Sequence, residues 1–445
     1  MCHVSDNYAL KCSAAVAWYK SVAFGLHAER TENVTNRTKV VLAYSGGLDT
    51  SVSIPWLREK KGADVITLTV NVGQPGDLDR VRAKAEASGA TKAYLVDARR
   101  EFAEEFIAPA LKANALYEGI YPLSTALARP LIGRHMVEVA RREGASYVAH
   151  GCTGKGNDQV RFDLSTTSLA PDLEVIAPAR EWKMTREEEV AYAESHRIPL
   201  ASGPKTLYST DENLWGRSVE CGILEDPSVE PPEEVYGWTR SPREASNEPV
   251  YVNVTFERGL PVSIDSHRAP FHELIVQLNR TAGAAGVGRI DHLESRVVGI
   301  KSREVYECPA ATVLISAHQA LEALVLPRDL LDFKRTVEQR YAQMVYDGFW
   351  FSPLRNALDA FVSSTQERVS GEVAMKLYKG SARVVGRRSP YSIYQHSLAT
   401  YSSGDRFRPE MAEGFIYVWG LPARTWAAVG SQPAAASARA ARFRP

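Results

Sequence analysis

The chain has no surplus of either charge: across 445 residues, Lys plus Arg and Asp plus Glu number 53 each. No global field draws it toward nucleic acid or a membrane. Basic runs such as "RREGAS" and "ARAARFRP" read as local, solvated surface. Cysteine is scarce, with five scattered residues, no C-x-x-C pair and no histidine at metal-ligand spacing. That spacing argues against a disulfide framework and a zinc site, and fits a reducing, cytoplasmic setting. No apolar run approaches the roughly 18–20 residues of a membrane span. The stretch "SAAVAWYKSVAFG" is split by Lys20 and has no clean cleavage site after it, so it does not read as a secretory signal. The sequon Asn33-Val34-Thr35 then carries no meaning.

What is present is alternation. From Lys39, short apolar runs ("VVLAY", "DVITLTVNVG", "KAYLVDA", "ASYVAHG", "LEVIAPAR") exchange with helical patterns ("SVSIPWLREKKG", "LDRVRAKAEASG", "ALARPLIGRHMVEVARREG", "TREEEVAYAESH"). Such alternation predicts an α/β fold, a parallel sheet wrapped by helices on both faces, with ligands at the carboxyl ends of the strands. Gly62 closes the first helix, and Pro55 is expected near its first turn, where a missing N–H costs little. Near "IPLASGPKTLYSTDENLWG" the pattern changes to a second, α+β domain. The expected divisions are an unpatterned extension over 1–37, the parallel-sheet domain over 38–203 and the second domain over 204–383. An aromatic-rich arm over 384–432 and a disordered tail over 433–445 complete the chain.

The stretch "VVLAYSGGLDTS" carries the first chemistry. Gly46 and Gly47 permit positive φ and close approach of a ligand. Ser45, Thr50 and Ser51 bring hydroxyls to a turn feeding a helix N-terminus, where free N–H groups favour an anion. No lysine closes the loop at G-x-x-x-x-G-K-S/T spacing, and it is not G-x-G-x-x-G. Asp49 beside a phosphate calls for a cation, and magnesium bridging it to a leaving pyrophosphate would supply one. No closed metal site is expected from the protein alone. The loop resembles the PP-loop of the N-type ATP pyrophosphatases, which cleave ATP between the α and β phosphates.

A second stretch, "HGCTGKGNDQVRF", narrows the choice. Gly151, Gly154 and Gly156 would let the backbone turn tightly. Thr153, Asn157, Asp158 and Arg161 offer a hydroxyl, an amide, a carboxylate and a guanidinium suited to a zwitterion. With "ALYEGIYPLSTALARPLI", "SLAPDLEVIAP", "STDENLWGRSVECGIL" and "GVGRIDHLESRVVGIKSREVYECP", the chain resembles the argininosuccinate synthase family from Lys39 to about Gly430.

The resemblance implies a carbon–nitrogen ligase that joins citrulline to aspartate with ATP and Mg²⁺, and a homotetramer; the aromatics of "GFIYVWGL" suggest a C-terminal arm swapped onto neighbours. It implies an ATP site at Ala43, Tyr44, Ser45, Gly46, Gly47, Leu48, Asp49, Thr50 and Ser51, with Val70 near the adenine and Gly151 at the mouth of the later loop. Aspartate falls to Thr153, Asn157 and Asp158. Citrulline falls to Tyr121, Asn157, Arg161, Ser209, Ser218, Glu294 and Tyr306. Asp49, Asn157, Asp158 and Arg161 are the side chains expected to carry the chemistry. Asp158 is expected to bind the aspartate ammonium, a service citrulline activation does not need. On residue type alone, Glu294 in "HLESR" would be a solvated helix residue and Tyr306 a packed aromatic.

Two departures stand out. Ala126 replaces a serine of some family members, leaving Ser124, Thr125 or a backbone amide to serve instead. The extension over 1–37 has no counterpart in the short family N-termini. Rival readings are a tRNA-modifying or amidotransferase-type PP-loop enzyme, a silent binding relative, and a ligase with another amino donor or ureido substrate. The missing C-x-x-C, the balanced charge and the absence of an N-terminal glutaminase cysteine count against the first.

Overall fold

The structure is a computed structural model that describes residues 38–199 and 208–430. The expectations for 1–37 and for the tail lie outside the described residues. Five parallel strands form the first sheet: β1 (Lys39–Ala43), β2 (Asp64–Asn71), β3 (Lys92–Asp97), β4 (Tyr147–Ala149) and β5 (Glu174–Ile176). Their spatial order is β3-β2-β1-β4-β5. The chain steps outward from β1 to β3 and returns on the other side of β1, so β1 and β4 flank the switch point. A crevice opens there at the strand ends. Val40, Val41 and Leu42 are fully buried, as a sheet covered on both faces requires.

Helix α1 (Leu48–Lys61) follows β1 and ends on Gly62 in the left-handed conformation. It starts earlier than the pattern suggested, so Pro55 lies inside it and not in its first turn. Gly47 caps it in extended conformation, and the Ser51 hydroxyl bonds back to the Gly47 carbonyl at 2.7 Å. Helices α2 (Leu78–Ala87), α3 (Ser124–Glu143), α4 (Asp158–Leu169), α5 (Pro178–Glu181) and α6 (Arg186–Ser195) belong to this half, with a further helical stretch over 99–112 between β3 and α3. Thr185 and Glu188 close a capping box on α6.

The second half holds two antiparallel sheets. Strands β6 (Ser209–Asn213), β7 (Gly216–Glu220), β11 (Arg289–Ser295) and β12 (Lys301–Glu307) form one, in the order β11-β12-β7-β6. Strands β8 (Val250–Glu257), β9 (Leu260–Ile264), β10 (His267–Arg268), β13 (Gly371–Tyr378) and β14 (Ser381–Arg388) form the other. Helices α7 (Phe271–Ala284), α8 (Pro309–Val325), α9 (Arg328–Tyr346) and α10 (Pro353–Thr365) pack with them. One apolar core runs from β2 and α3 through β12 and α8 to β13. The arm ends in α11 (Glu410–Trp419) and α12 (Leu421–Gly430), neither of which buries a residue.

Candidate active site

Two loops meet at the switch point. The first follows β1, where only Gly46 takes a positive φ, 79°. Gly47 sits at φ −68°, a value open to any residue, so its lack of a side chain matters for approach and not for the turn. The Ser45 hydroxyl lies 3.2 Å from that of Thr50 and accepts the Gly47 N–H at 3.3 Å. Lys84, which no motif signalled, donates to the Gly46 carbonyl at 2.7 Å and brings a cation under the loop. Burial holds its ammonium below the usual lysine range.

The second loop follows β4. A Cβ on Gly151 would come within 2.9 Å of Thr50 Cγ2, so glycine is what lets the two loops touch. The loop does turn tightly here, the Gly156 N–H donating to the Thr153 carbonyl at 3.4 Å, but neither Gly154 nor Gly156 takes a positive φ, so the turn itself does not demand glycine. Between the loops lies a cleft of about 570 Å³. Ala43, Tyr44, Ser45, Gly47, Asp49, Thr50, Val70 and Gly151 line it. Gly46, Leu48 and Ser51 do not. Leu48 packs near Val52 and Ile198, and the buried Ser51 hydroxyl is shared between Tyr44 and Gly47. Asp49 reaches the cleft and pairs with Arg186 at 2.6 Å. Behind it, burial and the Asp49 charge push the Glu189 carboxyl up to about 7, with Arg186 pulling the other way. Among the described residues no three His, Cys, Asp or Glu side chains are grouped to hold a metal ion.

Deeper in, side chains from distant segments form a buried polar cluster. Glu294, on β11 and only 2% exposed, accepts from Tyr306 and Tyr346 at 2.6 Å each. Its placement on a strand corrects the solvated-helix reading: His292 and Glu294 face inward while Leu293 is exposed. Asn157 donates to the Tyr346 hydroxyl at 2.8 Å and to Glu294 at 3.4 Å, and accepts from the Val297 N–H at 2.9 Å. Tyr121 stacks on Tyr306, and Tyr117 on Tyr346, at ring-centroid distances of 4.1 and 3.5 Å. Burial pushes the Tyr117 hydroxyl up to about 12 and also raises those of Tyr121, Tyr306 and Tyr346, so all four keep their protons. Near Ala126, the Ser124 hydroxyl lies 3.5 Å from the Tyr121 hydroxyl, which takes the Thr125 N–H.

Arg161 is 3% exposed and spans this cluster. Its Nε donates to the Tyr346 carbonyl at 3.0 Å and its Nη1 to Asp158 at 2.9 Å. Its Nη2 is buried with no partner. A guanidinium N–H left unpaired in the interior is costly and points to an acceptor that arrives with a ligand. Asp158 is fully engaged, since its other oxygen takes Arg129 Nε at 2.9 Å. Burial would raise that carboxyl, but the two arginines hold it below the usual range. Arg129 also donates to Asp211 at 2.6 Å, and both line the cleft. Thus Asp211, Arg129, Asp158 and Arg161 form a row of alternating charge from cleft to cluster.

Sequence reasoning missed Arg129, Asp211, Tyr117 and Tyr346. Tyr117 and Arg129 stood inside "ALYEGIYPLSTALARPLI" and Asp211 inside "STDENLWGRSVECGIL", but nothing local marked them as site residues, and Tyr346 lay outside every quoted motif. Of the remaining expected residues, Ser218 lies opposite Tyr306 across the β7–β12 ladder. Ser209 is exposed on β6, opposite Glu220, and Thr153 is exposed at the loop tip.

Comparison with known proteins decides what this arrangement belongs to. A family model described as the arginosuccinate synthase N-terminal HUP domain matches residues 39–199. The C-terminal domain of the same enzyme matches residues 208–426. The chain belongs to the argininosuccinate synthase family. An argininosuccinate synthase of Dictyoglomus turgidum is 57% identical over 89% of this chain and 100% of its own. That of Gloeobacter violaceus is 58% identical over 88% and 98%, and that of Rubrobacter xylanophilus 55% over 91% and 98%. A solved structure described as a tRNA methyltransferase subunit of Methanocaldococcus jannaschii aligns at 17% identity over 35% of this chain and 74% of its own. Its TM-score of 0.26 lends it no weight beside the argininosuccinate synthases. No helix among the described residues is long and apolar enough to cross a membrane.

Proposed function

We propose that the chain condenses citrulline with aspartate at the expense of ATP, giving argininosuccinate, AMP and pyrophosphate. The observation that carries this reading is the buried, unpartnered Nη2 of Arg161 in a pocket that also holds Glu294, one charge-row away from the phosphate loop. An amino acid needs that pair of opposite charges, and a triphosphate needs that loop. Citrulline's carboxylate takes Arg161, and its ammonium takes Glu294 between the two tyrosine hydroxyls. Its ureido oxygen then attacks the α-phosphate in line and expels pyrophosphate. The aspartate amine displaces AMP from the activated carbon. Positioning and charge stabilisation carry such a reaction, and no protein nucleophile is needed.

In the cleft, Ser45, Gly47 and Thr50 hold phosphate oxygens, and Val70 and Gly151 border the nucleoside. Asp49 is the residue that would hold a magnesium ion arriving with the triphosphate, because Mg²⁺ takes one or two carboxylates together with phosphate oxygens and water. The ion would neutralise charge on the departing pyrophosphate. Thr153, Asn157 and Asp158 border the path by which aspartate reaches the adenylate. The chain works in the cytoplasm as a homotetramer. The exposed Phe415, Ile416, Tyr417, Val418 and Trp419 of the arm support packing on other subunits. Deleting the residues after about 405 should give smaller species by light scattering. Unchanged mass would remove the arm from the assembly.

Pyrophosphate release from ATP tests the chemistry. Exchange of labelled pyrophosphate into ATP should require citrulline and not aspartate, and net turnover should require both. Release indifferent to citrulline would end this reading.

A further inference from the structure

We infer that His150 is a positioning residue that aims the Gly151–Asn157 loop at both the cleft and the incoming amine, through a tautomer fixed by its neighbours. His150 follows β4 directly and is 1% exposed, with its ring stacked on Phe162 at 5.5 Å. The Cys152 N–H donates to its Nδ1 at 3.2 Å. A backbone N–H cannot accept, so Nδ1 must be bare and the ring proton must sit on Nε2. From there it is given to Asp163 Oδ1 at 2.8 Å. The other Asp163 oxygen takes Arg180 Nη1 at 2.9 Å.

Arg180 then reaches the far end of the same loop. Its Nη1 also donates to Gln159 Oε1 at 3.3 Å, and Gln159 Nε2 donates to the Gly156 carbonyl at 3.2 Å. One guanidinium therefore holds the loop at both ends, at Cys152 through Asp163 and His150, and at Gly156 through Gln159. Between those anchors Thr153, Gly154 and Lys155 are exposed. The Cys152 N–H is drawn inward onto His150. Gly151 lines the cleft, against Thr50. An imidazole is suited to this place because it accepts from the loop on one side and donates to a carboxylate on the other.

This inference rests on the proposed function for its kinetic test, but nucleotide binding tests it separately. In asparagine, Oδ1 stands where Nδ1 stands and keeps the acceptor for the Cys152 N–H. In glutamine, the amide stands nearer Nε2 and keeps only the Asp163 contact. His150→Gln should weaken ATP in equilibrium binding and raise the KM for ATP and aspartate by about tenfold, the size of one lost positioning hydrogen bond. The citrulline KM should stay near the parent value. His150→Asn should recover most of the loss. Equal losses in both variants, or a lower melting temperature with binding intact, would reduce His150 to a packing residue. If the parent binds ATP but makes no argininosuccinate, the functional reading fails, and the ATP affinities of the two variants still decide the role of His150.

Discussion

On the proposed function, the cleft and the pocket solve the same problem, holding charged small molecules, by opposite means. The cleft is made from two contiguous loops whose contacts are mostly backbone and hydroxyl, with Ser45 and Gly47 exposed. The pocket is made from side chains of α3, α4, β11, β12 and α9, with Glu294, Tyr306, Tyr346 and Asn157 already bonded to one another. A flexible polyanion is met by donors that need no ordering, because helix-end amides are fixed by the fold. A small zwitterion of fixed span is met by a preassembled surface with one unpaired group, Arg161 Nη2, left for it. Damage should therefore spread differently in the two regions. A change in the cleft loop should be local, and a change in the pocket should disturb several partners together.

The largest effect should come from Arg161→Met. It removes the unpaired donor and leaves Asp158 with Arg129 as its sole ion-pair partner. Losing one member of a buried, hydrogen-bonded charge pair costs about 2–5 kcal/mol. Citrulline-dependent pyrophosphate exchange should fall by about 10²- to 10³-fold on that scale, while equilibrium binding of ATP changes little. Equal losses of both would erase the distinction between the two regions.

Gly47→Val should follow, at about 10²-fold, the cost of losing a positioned backbone donor. Its φ of −68° and ψ of 171° suit valine, and a Cβ there meets only Ser45 Oγ, at 3.3 Å. Pyrophosphate release should drop while the melting temperature stays at the parent value. Normal turnover would make the loop a turn and nothing more.

Asp158→Ala sharpens the comparison from the boundary between the regions. An aspartate-only role for this carboxylate would leave citrulline activation intact. The structure gives both of its oxygens to arginines, one of them Arg161. Exchange and product formation should therefore fall together, by roughly 10- to 100-fold, the scale of a lost charged hydrogen bond. Exchange at the parent rate with product abolished would restore the narrower role.

The smallest effect concerns proton storage beside the pocket. Burial, then the charges of Glu220 and Glu294, push the Glu304 carboxyl up to about 9, with Arg296 offsetting part of the rise. The folded chain thus keeps a proton that the unfolded chain releases in the ordinary carboxylate range. The resulting stability is complete below that range and is lost as pH rises toward about 9. Urea midpoints measured from pH 5 to 9 should decline more steeply for the parent than for Glu304→Gln. Parallel profiles would refute this.

The same contrast explains what the sequence disclosed. The cleft was legible because a phosphate loop needs its glycines and hydroxyls side by side, and Val40–Ser51 contains them in a row. The parallel sheet was legible from its apolar runs. The pocket was legible only through the family resemblance and not from local pattern, because its members are brought together by packing over long separations, as when Asn157 meets Tyr346. Strand β11 was misleading in itself. It turns His292 and Glu294 inward and leaves Leu293 at 52% exposure, the reverse of an ordinary amphipathic strand. Such an inversion is what a buried polar site demands, and no local rule distinguishes it from a solvated charged run. The position of Pro55 was misjudged for a simpler reason. The helix begins on Gly47, whose carbonyl is met by the Ser51 hydroxyl, and no sidechain cap marks that start.

The row Asp211, Arg129, Asp158, Arg161 also makes the two ligands thermodynamically dependent. Each interior member serves two neighbours, so an anion that draws Arg129 toward the cleft leaves Asp158 less neutralised beside Arg161. The potential felt by a carboxylate in the pocket then becomes more negative. On the proposed function, a non-hydrolysable ATP analogue should weaken citrulline binding severalfold, a coupling at the low end of about 1–3 kcal/mol. Linkage requires citrulline to weaken the analogue by the same factor. Titrations run in both orders would reveal antagonism between substrates that occupy neighbouring sites without touching the same atoms.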